Sequence, residues 1–433
     1  MVDMNNVVVL DNGAHMAKVG FATNDDPSYC MPNCIMKAKS ERRRAFVGDQ
    51  IDECRDLSEL YYLLPFQKGY LVNFETQKRV WDFIFGRDRL NVDFQQSGIL
   101  ITEPVLNFPS VAGVMNEIMF EEYEYRSVLR LPAPDLVAQS MEDRTFLIVD
   151  SGYSFTHILP YVHGQRISKG VRRVDVGGKI LTNHLKEVIS YRQVNVLDET
   201  YVMNHAKEDA CYVSLDFVGD ITKASAEGRK SEIYRDYVLP NFMDEDHRRG
   251  FLRSREKSTG ISTDKTEQLI SLCLERISIP EILFHPSYLP GHHQKGICEA
   301  LVESVRLCPP EFHPNLLKEV HLIGGCTLFP NFAERVRKDL REMLPDTVNT
   351  EVKEYPNVLT LPWRCGRDLA RNEVKFQDFS VTREEYQEWG NDRVNEHFLE
   401  NVLWKTSEDD EGEASTGGTQ NKNSNTDSGD ESM

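Results

Sequence analysis

The sequence has no long apolar run. Nothing in it approaches the roughly 20 residues that cross a bilayer, and its N-terminus lacks the apolar stretch of a signal peptide. A soluble intracellular protein with no membrane partner is expected. A cysteine framework is missing too. The nine cysteines are scattered, odd in number and without zinc spacing, and Cys30 and Cys34 are the only close pair. Reduced thiols are expected rather than disulfides or a metal site. Positive charge is also in short supply. The formal net charge of -19 speaks against general nucleic-acid binding by the whole surface. From Thr406 to Met433 stand eight acidic residues and one lysine, so this stretch carries -7 and the rest of the chain -12. Ser, Gly, Asn and acid dominate it without core-forming residues, and a disordered acidic tail is expected over 405–433.

What is present is ample core. The chain has 433 residues, 40% of them hydrophobic, which fits one large domain, two, or a duplicated pair. The stretch Val7-Val8-Val9-Leu10-Asp11-Asn12-Gly13-Ala14-His15-Met16-Ala17-Lys18-Val19-Gly20-Phe21-Ala22 reads as a buried strand, a tight turn and a returning strand. Asn-Gly is an ordinary hairpin turn. A carboxylate at the mouth of a buried strand, beside a glycine that admits a ligand to backbone, also suits a phosphate-and-metal site.

The same design returns at Phe146-Leu-Ile-Val-Asp150-Ser151-Gly152-Tyr153-Ser154-Phe155-Thr156-His157-Ile-Leu-Pro160. Asp150 lies 139 positions after Asp11 (150 minus 11). Its reuse points to a duplicated domain with two turns facing each other and clamping phosphates from both sides. A third glycine site, Val174-Asp-Val-Gly177-Gly178-Lys179, opens a helix carrying Ile180, Leu181, Leu185 and Val188. A fourth, Val320-His-Leu-Ile-Gly324-Gly325-Cys-Thr327-Leu-Phe-Pro330, joins a strand to a helix with Phe332, Val336, Leu340 and Leu344. Such a junction admits a flat ligand against bare backbone.

Between these sites, Asn73 is expected to cap a helix bearing Val80, Trp81 and Ile84, and Ser110 a second bearing Val111, Val114 and Ile118. Gly98–Thr102 reads as a strand, and 206–213 as helix running into strand. Residues 223–265 read as polar surface insertions. The run Arg42-Arg43-Arg44 reads as a solvated face or a partner contact. Thr382 to Glu385 forms a capping box for a late helix.

Two Asp-x-Gly hairpins, a linking Asp-Val-Gly-Gly, a later Gly-Gly-x-Thr-Leu-Phe-Pro and Trp363-Arg-Cys-Gly366 together resemble the actin superfamily from about Val7 to Phe398. Lys68-Gly-Tyr-Leu-Val-Asn73, Leu100-Ile-Thr-Glu-Pro104 and Ile118-Met-Phe-Glu-Glu122 strengthen the likeness. Phe120-Glu-Glu-Tyr123, Phe155-Thr-His157 and Val194 to Thr200 look most like the actin-related protein 6 family, nuclear proteins of the Swr/SRCAP-type chromatin remodellers. The resemblance implies an α/β actin-like fold (the actin, Hsp70 and sugar-kinase ATPase fold), with two similar α/β halves around a nucleotide cleft. Residues 1–140 with 359–404 would form the first half, with a small lobe at 31–68. Residues 141–358 would form the second, with a lobe at about 177–265. It implies ATP or ADP with Mg²⁺ in a weakened site. Asp11 and Asp150 would approach Mg²⁺ through its waters, a manner that suits this ion. Asn12, Gly13, Ser151 and Gly152 would line the phosphates, and Lys18 would neutralise them. Lys207 and Glu208 would hold the ribose or base edge, and Gly324, Gly325 and Thr327 would floor the adenosine pocket.

Several positions depart from the family pattern. The usual Ser-Gly of the first turn is Ala14-His15, and the usual Asp-Gly of the second is Tyr153-Ser154. A gapless match puts Ala133 where a glutamine positions attacking water, Leu359 where a basic residue flanks adenine, and Cys365 for one late glycine. Loss of a water-positioning group costs about 10²-fold or more. The expectation is therefore no catalytic residues and absent or very weak hydrolysis. The chain between Cys34 and Phe46 is shorter than in actin, so no self-filament is expected. The resemblance implies a structural and regulatory subunit of a nuclear complex that exchanges a histone variant into nucleosomes. Its partners would be the remodeller ATPase subunit and other complex subunits, with histones or the nucleosome reached through the complex. Its location would be the nucleus, with the cytoplasm second. An active actin-fold ATPase or a cytoskeletal adaptor is the competing expectation.

Overall fold

Continuous apolar runs such as Val7–Leu10 and Phe146–Val149 suit strands covered on both faces, and these strands form the centres of two sheets. The computed structural model describes residues 6–141, 143–244, 248–255, 258 and 267–400. The expected acidic tail at 405–433 lies outside them. Among the described residues no helix is long and apolar enough to cross a membrane.

The first sheet has six strands in the spatial order Val381–Thr382, Ser127–Pro132, Gly98–Glu103, Val7–Asn12, Met16–Phe21, Tyr29–Pro32. Val7–Asn12 turns back antiparallel onto Met16–Phe21, placing Asp11 opposite Lys18, and runs parallel to Gly98–Glu103. The second sheet repeats this plan. Phe146–Ser151 turns back onto Thr156–Val162, placing Asp150 opposite His157, and runs parallel to Glu319–Ile323. Its far edges are Glu351–Lys353 on one side and Gln165–Arg166 with Arg172–Val174 on the other. Two sheets of one topology are what duplicated hairpins require.

Helices cover the sheets where the sequence has apolar faces. Phe74–Phe85 buries Val80, Trp81 and Ile84, and the Asn73 side chain accepts from Thr76 N at 3.0 Å. Leu361–Arg371 packs on the first sheet, and its buried Trp363 donates Nε1–H to Val9 O at 2.9 Å. The late capping box is closed both ways. Thr382 N donates to Glu385 Oε2 at 2.8 Å, and Glu385 N donates to Thr382 Oγ1 at 3.3 Å. All nine cysteines are free.

Three expectations are corrected. The second helix is Pro109–Glu117, so Ser110 lies inside its first turn and does not cap it. Proline suits that first helical position because its missing N–H would go unpaired there anyway. Residues after Ala210 do not pair as a strand. Tyr212 N and Val213 N donate instead to Arg276 O and Pro330 O. Residues 223–265 are not simply surface insertions. Arg235–Val238 and Phe251–Leu252 form a three-stranded sheet with Leu269–Leu272, and Tyr237 within it is fully buried.

The small lobe carries its own sheet of Ile35–Ala38, Phe46–Val47 and Leu60–Leu63. Its core of Cys34, Met36, Phe46, Ile51, Cys54, Leu57 and Leu60 also packs against Tyr201 and Phe242 of the second half. Arg248 donates to Cys54 O across the same seam.

Candidate functional site

The two hairpin turns face each other between the sheets, and each is held from behind. Asp11 is buried at the end of its strand. Lys18 Nζ donates to Asp11 Oδ2 at 2.9 Å, and Thr102 Oγ1 donates to Asp11 Oδ1 at 2.9 Å. Thr102 Oγ1 also accepts from Asn12 N at 2.8 Å. The Asn12 side chain points inward, where its Oδ1 accepts from Asn33 Nδ2 at 3.0 Å and from Trp81 Nε1 at 3.4 Å. Asn33 Nδ2 reaches Gly13 O at 2.9 Å, and Asn33 N donates to His15 O at 2.8 Å. Asn12 thus braces the turn with its side chain. Gly13 has no room for more, since a Cβ there would stand 2.7 Å from Met16 O.

On the opposite side Ser151 Oγ and Thr156 Oγ1 share a 2.9 Å hydrogen bond, and Thr156 Oγ1 donates to Val176 O at 3.0 Å. Gly178 N and Lys179 N donate to Gly152 O and Tyr153 O at 3.0 and 2.8 Å. Gly177 makes this approach feasible, because a Cβ there would lie 2.6 Å from Phe155 N and 2.7 Å from Tyr153 O. The helix Gly178–Arg192 therefore starts directly against the second turn.

Asp150 sits among low-dielectric walls. Burial, then the charge of Asp11, pushes its carboxyl up to about 7, with Lys18 acting against them. Lys18 pairs with Asp11 while its charge also acts on Asp150, and a hydrated divalent cation would supply further positive charge between the carboxylates. The hard oxygen donors fit Mg²⁺ in that role. Among the described residues, Ala14, His15, Tyr153 and Ser154 donate their backbone N–H to no backbone carbonyl. Both turns therefore offer donors of the kind that bind oxyanions.

The third and fourth glycine sites complete the floor. Gly324 adopts φ 89° and ψ 156°, a region essentially reserved for glycine. A Cβ there would fall 2.4 Å from Ser151 O and 2.8 Å from Asp150 Oδ1. Gly325 starts one 3₁₀ turn, and the long helix opens only at Phe332. Thr327 Oγ1 bonds back to Gly324 O at 2.8 Å. Leu359 Cδ2 stands 3.4 Å from where a Gly325 Cβ would be. Lys207 is buried, and its Nζ reaches Thr182 Oγ1 at 2.9 Å, Asn204 Oδ1 at 3.0 Å and Gly178 O at 3.2 Å. Glu208 is exposed and accepts from Asn204 Nδ2 at 2.8 Å.

The two departures in the turns meet. The His15 and Tyr153 rings stack across the cleft with centroids 4.5 Å apart and planes 21° from parallel. The His15 side chain is exposed to solvent. Desolvation, then the charges of Lys207 and Lys18, lowers its pKa to about 4. Burial raises the Tyr153 phenol to about 12. Both rings are therefore neutral at pH 7. Ala133 opens the helix Ala133–Gln139 and offers only a methyl group. His157 is buried with Nδ1 unpartnered, and burial followed by the charge of Arg173 lowers its pKa to about 3.

An actin-family sequence profile, described as "Actin", matches residues 2–399. The chain belongs to the actin family. It is 45% identical over 402 residues to "Actin-related protein 6" of Drosophila melanogaster, covering 90% of this chain and 99% of that protein. It is 34% identical to "Actin-like protein ARP6" of Cryptococcus neoformans, covering 90% and 84%. It is also 34% identical to "Actin-related protein 6" of Oryza sativa, covering 92% and 100%. The fold is thus the actin fold read from the motifs, and proteins of this fold generally bind a nucleotide with Mg²⁺. Thr102 and Asn33 had no assigned role in the sequence, although Thr102 lies within the family-like stretch Leu100 to Pro104.

Proposed function

We propose that this chain is a non-catalytic structural and regulatory subunit of a nuclear remodelling complex that exchanges a histone variant into nucleosomes. Its partners are the remodeller ATPase and companion subunits, with histones or the nucleosome met through the complex. It forms no filament of its own. The reading rests on the resemblance to nuclear actin-related proteins and on one observation: neutral aromatic rings bridge the two turns, while position 133 has no group to orient water. Phosphoryl transfer depends on positioning more than on any single base, so an intact fold without these groups is poorly equipped for turnover.

The cleft retains a binding role. Asp11 and Asp150 would hold hydrated Mg²⁺, which would screen phosphate charge. Lys18 and the N–H groups of both turns would take phosphate oxygens, and Gly324, Gly325 and Thr327 would face the adenosine.

Affinity purification from nuclear and cytoplasmic extracts, with mass spectrometry of partners, tests the assignment. Co-purification with a Swi/Snf-type ATPase and histones is expected. Recovery with microtubule-motor subunits instead would refute it. Single-turnover hydrolysis at the rate of filament actin would refute the non-catalytic reading, and ATP-dependent sedimentation the absence of filaments.

A further inference from the structure

We propose that the His15–Tyr153 ring pair takes the place of a nucleotide's terminal phosphate and makes this cleft a nucleoside diphosphate site. The inference rests on the binding role given to the cleft above, and it adds the identity of the ligand.

The rings arise from the tips of the two facing turns and close the space between them. At a centroid separation of 4.5 Å and an angle of 21°, the faces are in contact and nothing fits between them. Neither turn is free to retreat. The first is tied by Asn33 to Gly13 O and His15 O. The second is tied through Gly152 O and Tyr153 O to the start of the helix Gly178–Arg192. Tyr153 is also backed by that helix, since its Cδ2 lies 3.6 Å from where a Gly178 Cβ would be. The other groups suited to phosphate remain on the same two hairpins. Lys18 holds Asp11 at 2.9 Å, the charges of both act on Asp150, and the Gly13 turn is tight. The ring pair thus fills the gap between the two turn tips. A third phosphoryl group has to push the neutral rings apart, and they offer it no charge, while two phosphates stay within reach of the lysine and the metal site.

The full chain is titrated with Mg²⁺ and either ADP or the non-hydrolysable triphosphate AMP-PNP, followed by calorimetry. ADP is expected to bind at least about tenfold more tightly, equivalent to about 1.4 kcal/mol. The double substitution His15→Gly with Tyr153→Asp restores the family's usual residues and should abolish or reverse that ratio. Tyr153→Phe keeps the stack and should preserve the ratio. Should the double variant fail to fold, Tyr153→Ala alone must narrow it. Equal or tighter AMP-PNP binding by the natural chain overturns the proposal, and so does a ratio indifferent to both ring substitutions. Failure to bind either nucleotide also overturns it but leaves the remodeller assignment standing. Absence of remodeller partners overturns that assignment and leaves the nucleotide ratio untouched.

Discussion

Gly324→Ala isolates the backbone device that brings the fourth glycine site against the second turn. The residue holds φ 89° and ψ 156°, which costs a residue with a Cβ about 1–3 kcal/mol. Its Cβ would also land 2.4 Å from Ser151 O and 2.6 Å from Ser151 C. Those atoms are backbone in a central strand of the second sheet and cannot swing aside. Forced overpacking of this kind adds about 1–3 kcal/mol. The total loss should be about 2–6 kcal/mol, a fall in Tm on the order of 10 °C for a unit of this size. Gly228 is the matched control. It holds φ 56° and ψ -125°, also outside the range of ordinary residues, but nothing lies within 4 Å of its Cβ position. Gly228→Ala should carry the backbone cost alone. Thermal melts of both variants decide the matter. Equal shifts would show that the contact with Ser151 is not what constrains Gly324.

Buried neutral histidines should make the fold acid-sensitive. His157 is lowered to about 3, mainly by burial, and His321 to about 4, by burial and then Lys353. Both ionise near 6.5 when unfolded. Their contribution is therefore complete above about pH 6.5 and is lost as pH falls from there toward 4 and 3. At pH 5.5 each should cost about 1 kcal/mol. Asp150, raised to about 7, gains stability over the same window by taking up a proton, so the comparison is made in an Asp150→Asn background: there the urea midpoint should drop between pH 7.5 and 5.5, and a flat or rising midpoint would contradict the argument. Trp363→Phe removes the Nε1–H that Val9 O accepts at 2.9 Å inside the first sheet. About 1–3 kcal/mol should be lost in denaturant titrations, and an unchanged midpoint would mean that Val9 O is satisfied by its strand partners alone. A double-mutant cycle of His15→Ala and Tyr153→Ala should yield a coupling of about 0.5–1.5 kcal/mol. Strict additivity in the melts would mean that the stack contributes nothing in solution.

The first hairpin was legible because strand period, carboxylate and turn residues agree at one place, and its twin repeats them in the same order. The Asn73 cap and the Thr382–Glu385 box were legible because local hydrogen bonds decide them. The sheet of Arg235–Val238, Phe251–Leu252 and Leu269–Leu272 was not. Its strands are two to four residues long, and Asp236 lies within one of them. That buried carboxylate accepts from Tyr234 Oη at 2.7 Å and Ser271 Oγ at 2.9 Å. Polar groups satisfied inside a structure erase the alternation by which a strand announces itself. Val213 deceived in the opposite sense. It is apolar and buried, but its N–H goes to Pro330 O in a loop rather than to a strand.

The site shows the same divide between local and distant causes. Ala14-His15 and Tyr153-Ser154 were each visible as departures, and each alone reads as the loss of a phosphate contact. Residues 15 and 153 stand 138 positions apart (153 minus 15), so no periodicity couples them. Their stacking follows only once the two sheets bring their turns face to face across the cleft. The change at one turn then gains meaning from the change at the other. A histidine facing the family's usual aspartate would have offered a proton carrier beside the phosphates. A histidine against tyrosine, with its pKa lowered to about 4, offers a neutral ring and a filled gap. Around that gap the halves are joined again. Glu59 N donates to Glu199 Oε1 at 3.3 Å, Arg173 donates to Lys68 O at 2.8 Å, and the Arg173 guanidinium lies 4.6 Å from the Phe155 ring centre. Gly69 passes beneath that ring, where a Cβ would overlap Phe155 Cε1 at 1.9 Å. A cleft clasped by its own side chains needs less from a nucleotide to stay closed, which is what the proposed docking role asks of it.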